Sequence, residues 1–451
     1  MNSKNGERTM IIGAFLSGTG THPGSWRLPD VDANASRNFE TYRRIVIDLE
    51  KSGVTLAFLN DIVAITDLDA RVIAHDSDTM RWDPIVLLAA LSASTSRIGL
   101  VATANTSYNH PYNLARSFAS LDQISQGRVG WNLVTSVGGG ENFGLDEHME
   151  HASRYERAEE FIDVVRRLWD SWDDEAFVQD KERGVWLQPE KLNVTEYSGK
   201  HFRVKGPLIS ARPIQGHPVI AQAGASEPGK RLAARTAELV FTAARTIDEA
   251  RQFSNDLRTM AREFGRSPES LKILPGVTVF LGETREAAQA YFDNLHALAD
   301  PYASLKALSA YVNIGVDLHL MSLDDRIVVP DIVPETNVHK SRQKLVIDMV
   351  RRERPTVRQL YKQLAAAGGH RVIIGTPDDA CDALEEWFRA DVADGFNFLL
   401  PDIGKSVDDL TRLLMPALRA RGLVPSGYAG ATLRNHLGLP RPAARASTCE
   451  L

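Results

Sequence analysis

Cysteine is nearly absent. Cys381 and Cys449 are the only two among 451 residues, too few for a disulfide scaffold or a cysteine-rich zinc site. A reducing compartment is the simplest match. Long apolar runs are also lacking. No segment reaches the roughly 18 unbroken apolar residues of a membrane span, and the run over 10–16 is too short and too glycine-rich for a secretory signal. The expected location is the cytoplasm. No charge of one sign dominates: 52 Lys and Arg stand against 58 Asp and Glu, a net charge of −6. That argues against a dedicated nucleic-acid binder and against a polybasic membrane anchor. Internal repeats and low-complexity tracts are missing too. What is there is 43% apolar and 24% charged, an ordinary composition for a globular enzyme.

Short β-branched and apolar runs alternate with helical patterns. The runs predict strands over 10–16, 54–59, 98–103, 129–134, 218–223, 239–242, 271–281 and 396–400. Phe39, Tyr42, Ile45, Val46 and Leu49 have helical spacing, closed by Gly53. Asp83-Pro84 and Thr376-Pro377 read as caps followed by first-turn prolines. Eight strands separated by helices predict a parallel α/β array, closed as a (β/α)8 TIM barrel in preference to an open doubly wound sheet. The chain reads as one domain over 1–451 with inserted loops and helices. The insertions fall at about 135–217 and 284–370, and an extension rich in Pro, Gly and Arg runs over about 422–451. The first insertion carries an amphipathic helix through Tyr155, Phe161, Val165 and Leu168. The second reads as mostly helical and polar.

In such barrels the active site forms at the carboxyl ends of the strands. Those ends carry Asn60-Asp61, Thr103-Ala-Asn105, Asn132 and, after the fifth strand, Gly224-Ala-Ser226-Glu-Pro-Gly229. Each is also an ordinary turn former; together they line one rim. Ser226 is placed to cap the next helix, where free N–H groups and the positive dipole end suit a phosphate. An ordinary cap with no ligand is an equal alternative. Gly138-Gly-Gly140-Glu-Asn-Phe143-Gly144 fails the dinucleotide fingerprint, because Phe143 stands at its third glycine position. That stretch reads as a flexible loop. His148 and His151 lack a third metal ligand, so no metal is expected; His148 reads as a solvated turn residue. His151 lies four residues before Tyr155, so the imidazole and the phenol can face the same side; a buried, merely structural Tyr155 is a fair alternative. His22 and Trp26 lie on the loop after the first strand. No nucleophile elbow is found.

The stretches Phe58-Leu-Asn-Asp61, Asp83-Pro-Ile, the run from Thr103 to Arg116, Ser125-Gln-Gly-Arg-Val-Gly-Trp-Asn132, Arg154-Tyr-Glu-Arg-Ala-Glu-Glu-Phe161 and Gln222-Ala-Gly-Ala-Ser226 carry a resemblance. The chain resembles the bacterial-luciferase-like flavin monooxygenases, in the group of nitrilotriacetate, dibenzothiophene-sulfone and pristinamycin synthase monooxygenases, nearly end to end. The resemblance implies reduced FMN (FMNH2) as cofactor and O2 as co-substrate. It implies oxygen addition at flavin C4a, and transfer of one atom from the (hydro)peroxide to a small organic substrate. It implies a separate NAD(P)H:flavin reductase as partner and a homodimer or higher assembly. Position by position, it implies that Asp61, Thr103, His151, Tyr155 and Ser226 contact FMN, Ser226 at the phosphate, with Asn132 near the ring. His22 is the candidate for proton transfer. The competing readings are a deazaflavin-dependent hydride-transfer oxidoreductase on the same barrel and a non-catalytic flavin-binding protein.

Overall fold

The computed structural model describes residues 8–65, 67–136, 138–146, 149–336 and 340–444. Eight parallel strands close on themselves. They are β1 Ile11–Leu16, β2 Leu56–Leu59, β3 Gly99–Asn105, β4 Val129–Val134, β5 Val219–Ala223, β6 Leu239–Thr242, β7 Lys272–Leu281 and β8 Gly395–Leu399. Each pairs with the next, and β8 returns to β1 with Gly395 opposite Ile11. The (β/α)8 barrel expected from the strand count is therefore present, and every expected strand falls within a few residues of its observed place.

The strands are apolar on both faces because lumen and helical layer both bury them. Alternate positions such as Val101, Val219, Ala221 and Leu274 share one apolar cluster in the lumen, while Leu100, Ala102 and Ile220 join the outer core. The helices begin as their caps dictate. Asp83 accepts from the amide of Val86 at 2.9 Å ahead of Pro84. Thr376 forms a reciprocal capping box with Asp379 ahead of Pro377. Gly53 ends the helix Phe39–Ser52 at φ 85°, a left-handed conformation that favours glycine.

Three features were not expected. A ninth strand, Arg371–Gly375, pairs along the upper half of β7, on the edge that β6 occupies lower down. A small antiparallel hairpin joins Tyr197–Ser198 to Arg203–Val204. The long connection from β7 to β8 is helical, as expected, but not merely polar: Leu305, Val312, Ile314, Val346 and Leu360 form a core of its own. No described helix is long and apolar enough to cross a membrane.

The extension after residue 422 stoppers the barrel. Leu433, Leu437 and Leu439 join the lumen cluster with Ile11, Leu56 and Val101. Gly99 leaves the space for this, since a Cβ there would lie 2.5 Å from Leu433 Cδ1. The buried Arg434 guanidinium donates to both oxygens of Glu238, at 2.7 and 2.9 Å, and so ties the stopper to the wall. Leu433 has no solvent exposure, so Leu433→Ala is expected to cost about 3 kcal/mol in denaturant unfolding, the usual cost of an unrelaxed core cavity. A loss below about 1 kcal/mol would show that the stopper does not support the barrel.

Candidate active site

With its amino end filled, the barrel opens only at the carboxyl ends of its strands. A cavity of about 380 Å³ lies there. Three phenylalanines from β1, β2 and β6 meet across the lumen beneath it. Phe15 lies 5.7 Å from Phe58 and 6.1 Å from Phe241, ring to ring, and Phe58 lies 5.9 Å from Phe241. Phe241 reaches the cavity, so the trio forms an aromatic floor. Side chains from both long connections complete the walls.

Ser226 follows β5 in extended conformation and caps the helix Glu227–Thr236, its Oγ accepting from the amide of Gly229 at 3.3 Å. The same hydroxyl donates to Tyr155 Oη at 3.5 Å. Gly229 keeps these groups close: a Cβ there would sit a tight 3.0 Å from Ser226 Oγ and 3.1 Å from Tyr155 Oη. Two hydroxyls and the positive end of a helix thus converge on a small backbone cradle, the arrangement that suits a phosphate. Tyr155 comes from the helix His151–Trp169, whose buried face holds Ala158, Phe161, Ile162 and Leu168. His151 and Tyr155 point the same way as their spacing requires, with ring centroids 4.8 Å apart, and both line the cavity. Burial, then the charges of Arg154 and Lys340, lower the His151 pKa and so favour the neutral imidazole.

Asp61, on the loop after β2, also lines the cavity. Burial raises its carboxyl to about 6, the charge of Asp83 adds to this, and Arg81 opposes it. Thr103 and Asn132 face each other across β3 and β4, and the Asn132 amide donates to Thr103 Oγ1 at 2.8 Å. They are buried and absent from the cavity lining; Asn105, two residues above Thr103, is on it. The pair backs the wall from below, with Asn132 Oδ1 left without a partner. His22 is not brought to the cavity. It is 1% exposed, its Nδ1 accepts from the amide of Gly24, and its ring packs 4.5 Å from that of His296. Burial, then His296, pushes its pKa well below the usual value.

His148 lies outside the described residues. The glycine-rich stretch folds into a short turn, Gly140–Phe143, with Phe143 stacked 4.5 Å from Tyr108. Several lining residues escaped the sequence reading: Gln222, Arg154, Phe241, Lys340, Arg342 and His370. Gln222 and Arg154 lie inside the quoted motifs but were not singled out. The last three come from the second insertion, where no strand end marks them.

The raised Asp61 pKa sets a pH dependence. The fold holds this proton more tightly than the unfolded chain, so stability is lost as pH rises from 3.8 through about 6. Asp61→Asn is expected to be more stable than wild type above pH 6, on the order of 1 kcal/mol given partial solvent screening. The gain should vanish below about pH 4. Denaturant unfolding from pH 4 to 7 tests this; a difference that does not vary with pH would contradict it.

The model of the luciferase-like monooxygenase family matches residues 69–394. The nitrilotriacetate monooxygenase component A of Aminobacter aminovorans is 43% identical over 444 residues, covering 96% of this chain and 97% of its own. The N-acetyl-S-(2-succino)cysteine monooxygenase of Bacillus subtilis is 41% identical and covers 99% of each. Among solved structures, DmoA from Hyphomicrobium sulfonivorans aligns with a TM-score of 0.87 at 29% identity, over 98% of this chain and 94% of that one. A riboflavin lyase solved with modified FMN and riboflavin aligns with a TM-score of 0.84 at 28% identity, over 98% of each chain. The chain belongs to the luciferase-like monooxygenase family and is a flavin-dependent monooxygenase.

Proposed function

We propose that this protein is the oxygenating component of a two-component system, taking FMN in its reduced form from a separate NAD(P)H:flavin reductase and using O2 to oxygenate a small organic substrate. The observation that carries the reading is the cradle of Ser226, Tyr155 and Gly229 at a helix amino terminus, set beside a cavity with an aromatic floor. The name of one relative, component A, fits an enzyme that works with a second part.

The donor set suits FMN. Ser226 and Tyr155 would hold the phosphate by hydroxyl and helix end. Asp61 and His151 line the space for the ring, and Phe241 offers a flat apolar surface beneath it. Thr103 and Asn132 keep the adjoining wall in shape through their hydrogen bond. The buried Gln222 Oε1 has no protein partner and lies at the cavity wall, an acceptor left for a bound molecule. When bound, reduced FMN supplies the electrons that activate oxygen, one atom going to substrate and the other to water. The chain's own part is to orient and to exclude water, and side chains from both long connections line the cavity for this. The neutral His151 can donate or accept a hydrogen bond without adding charge beside the ring. His22 lies outside this assignment because its ring is committed to His296.

Oxygen uptake coupled to a flavin reductase, with mass spectrometry of products from 18O2, tests the reading. Incorporation of one labelled atom that requires both FMN and the reductase is the expected result. Hydride transfer to a deazaflavin without oxygen uptake would contradict it, as would flavin binding with no oxidation of any substrate. Ser226→Ala is expected to weaken FMN about tenfold, the loss of one hydrogen bond to a charged group, and to leave riboflavin nearly unaffected. Equal FMN affinity in the variant, read by fluorescence quenching, would contradict the phosphate assignment.

A further inference from the structure

The chain as a whole is acidic, at −6, yet its cavity is cationic. Arg154, Lys340 and Arg342 line it against one carboxylate, that of Asp61. The imidazoles of His151 and His370 are pushed toward the neutral form by burial and by the neighbouring cations. A cleft whose sign opposes that of the molecule concentrates ligands of the other sign.

Lys340 and Arg342 belong to the helix Lys340–Glu353 of the second insertion. Arg342 sits in a prepared seat. Gly368 and Gly369 both have positive φ, 56° and 90°, and a Cβ on Gly369 would lie 2.9 Å from Arg342 Nη1. The guanidinium therefore lies against bare backbone where a side chain would displace it. Its Nη2 donates to His370 Nε2 at 3.4 Å. His370 is in turn fixed by stacking on Phe241, with ring centroids 4.9 Å apart and planes at 21°. The aromatic floor thus holds the histidine, and the histidine holds the arginine. Nη1 is buried with no hydrogen-bond partner. Leaving a buried guanidinium N–H unpaired is costly, and the residue that carries it is on the cavity lining. The planar fork of arginine suits a carboxylate, and lysine adds a point charge.

We propose that the substrate carries at least one carboxylate, recognised in this cavity by Arg342, with Lys340 as a second cation on its lining. The proposal rests on the flavin reading of the cavity, and it deepens that reading by naming the substrate class. His370 acts as a positioning residue that aims the guanidinium.

The flavin phosphate is the other oxyanion that could draw these cations, so the test separates the two. Calorimetric titration of FMN-loaded protein with malonate, succinate and glutarate, each against its diamide, measures the preference for carboxylate. Fluorescence quenching measures FMN affinity in the same variants. The expected result is at least tenfold tighter binding of one or more dicarboxylates than of the matching diamide. Arg342→Ala should remove that preference, Arg342→Lys should keep part of it, and Lys340→Ala should reduce it about threefold. FMN affinity should stay within twofold throughout, which also reports an intact fold.

Equal binding of acids and amides by wild type would overturn the proposal. So would a preference that survives in Arg342→Ala, or a tenfold loss of FMN affinity in that variant with dicarboxylate binding unchanged. If wild type failed to bind FMN while the flavin-free protein still preferred dicarboxylates, the flavin reading would fall and the carboxylate site would stand.

Discussion

Strand β7 is hydrogen-bonded along both edges, to β6 through its lower half and to β8 at Gly276 and Val277. That double pairing turns an eight-stranded sheet into a cylinder whose lumen is just wide enough for side chains. The lumen is filled in layers: Leu433, Leu437 and Leu439 from the tail at the amino end, the phenylalanine trio above. Among the described residues, a filled lumen leaves the barrel's own ligand space at the carboxyl mouth. The ten-residue length of β7 has a second consequence. Its upper half extends beyond β6 and pairs with Arg371–Gly375, which brings His370 to the mouth just before that strand begins.

The mouth is built from parts with separate duties. Ser226 and Tyr155 come from the fifth strand's loop and the first insertion, and they meet only because the helix His151–Trp169 packs its apolar face on the barrel. Asp61 is carried by the loop after β2. The second insertion adds a core of its own, so the cations it presents rest on a packed support and not on an unsupported loop. Local order at the site therefore depends on two apolar cores and one closed sheet.

Much of this was legible in the sequence, for identifiable reasons. β-branched or apolar runs marked all eight barrel strands, because parallel strands buried on both faces need them. Asp83-Pro84 and Thr376-Pro377 marked helix starts through cap chemistry that is local by nature. The four-residue spacing of His151 and Tyr155 placed both on one wall. The misses have a common cause. Phe241 gains its role from partners on β1 and β2, and Arg342 from a turn 27 residues downstream. Leu433 lies in a tail whose composition resembles a loop, and only the space left by Gly99 shows what it fills. His22 looked like a rim residue from its loop position, but its ring is buried against a helix of the second insertion. Contacts that join distant segments leave no periodicity to read.

Under the proposed function, the carboxyl mouth of this barrel holds a flavin nucleotide with its phosphate at the start of the helix Glu227–Thr236. A crystal structure of the protein soaked with FMN tests it most directly. Phosphate density is expected within hydrogen-bond distance of Ser226 Oγ and Tyr155 Oη, with the ring over Phe241. Flavin density at any other place on the molecule, or a phosphate turned toward Asp61, would contradict it.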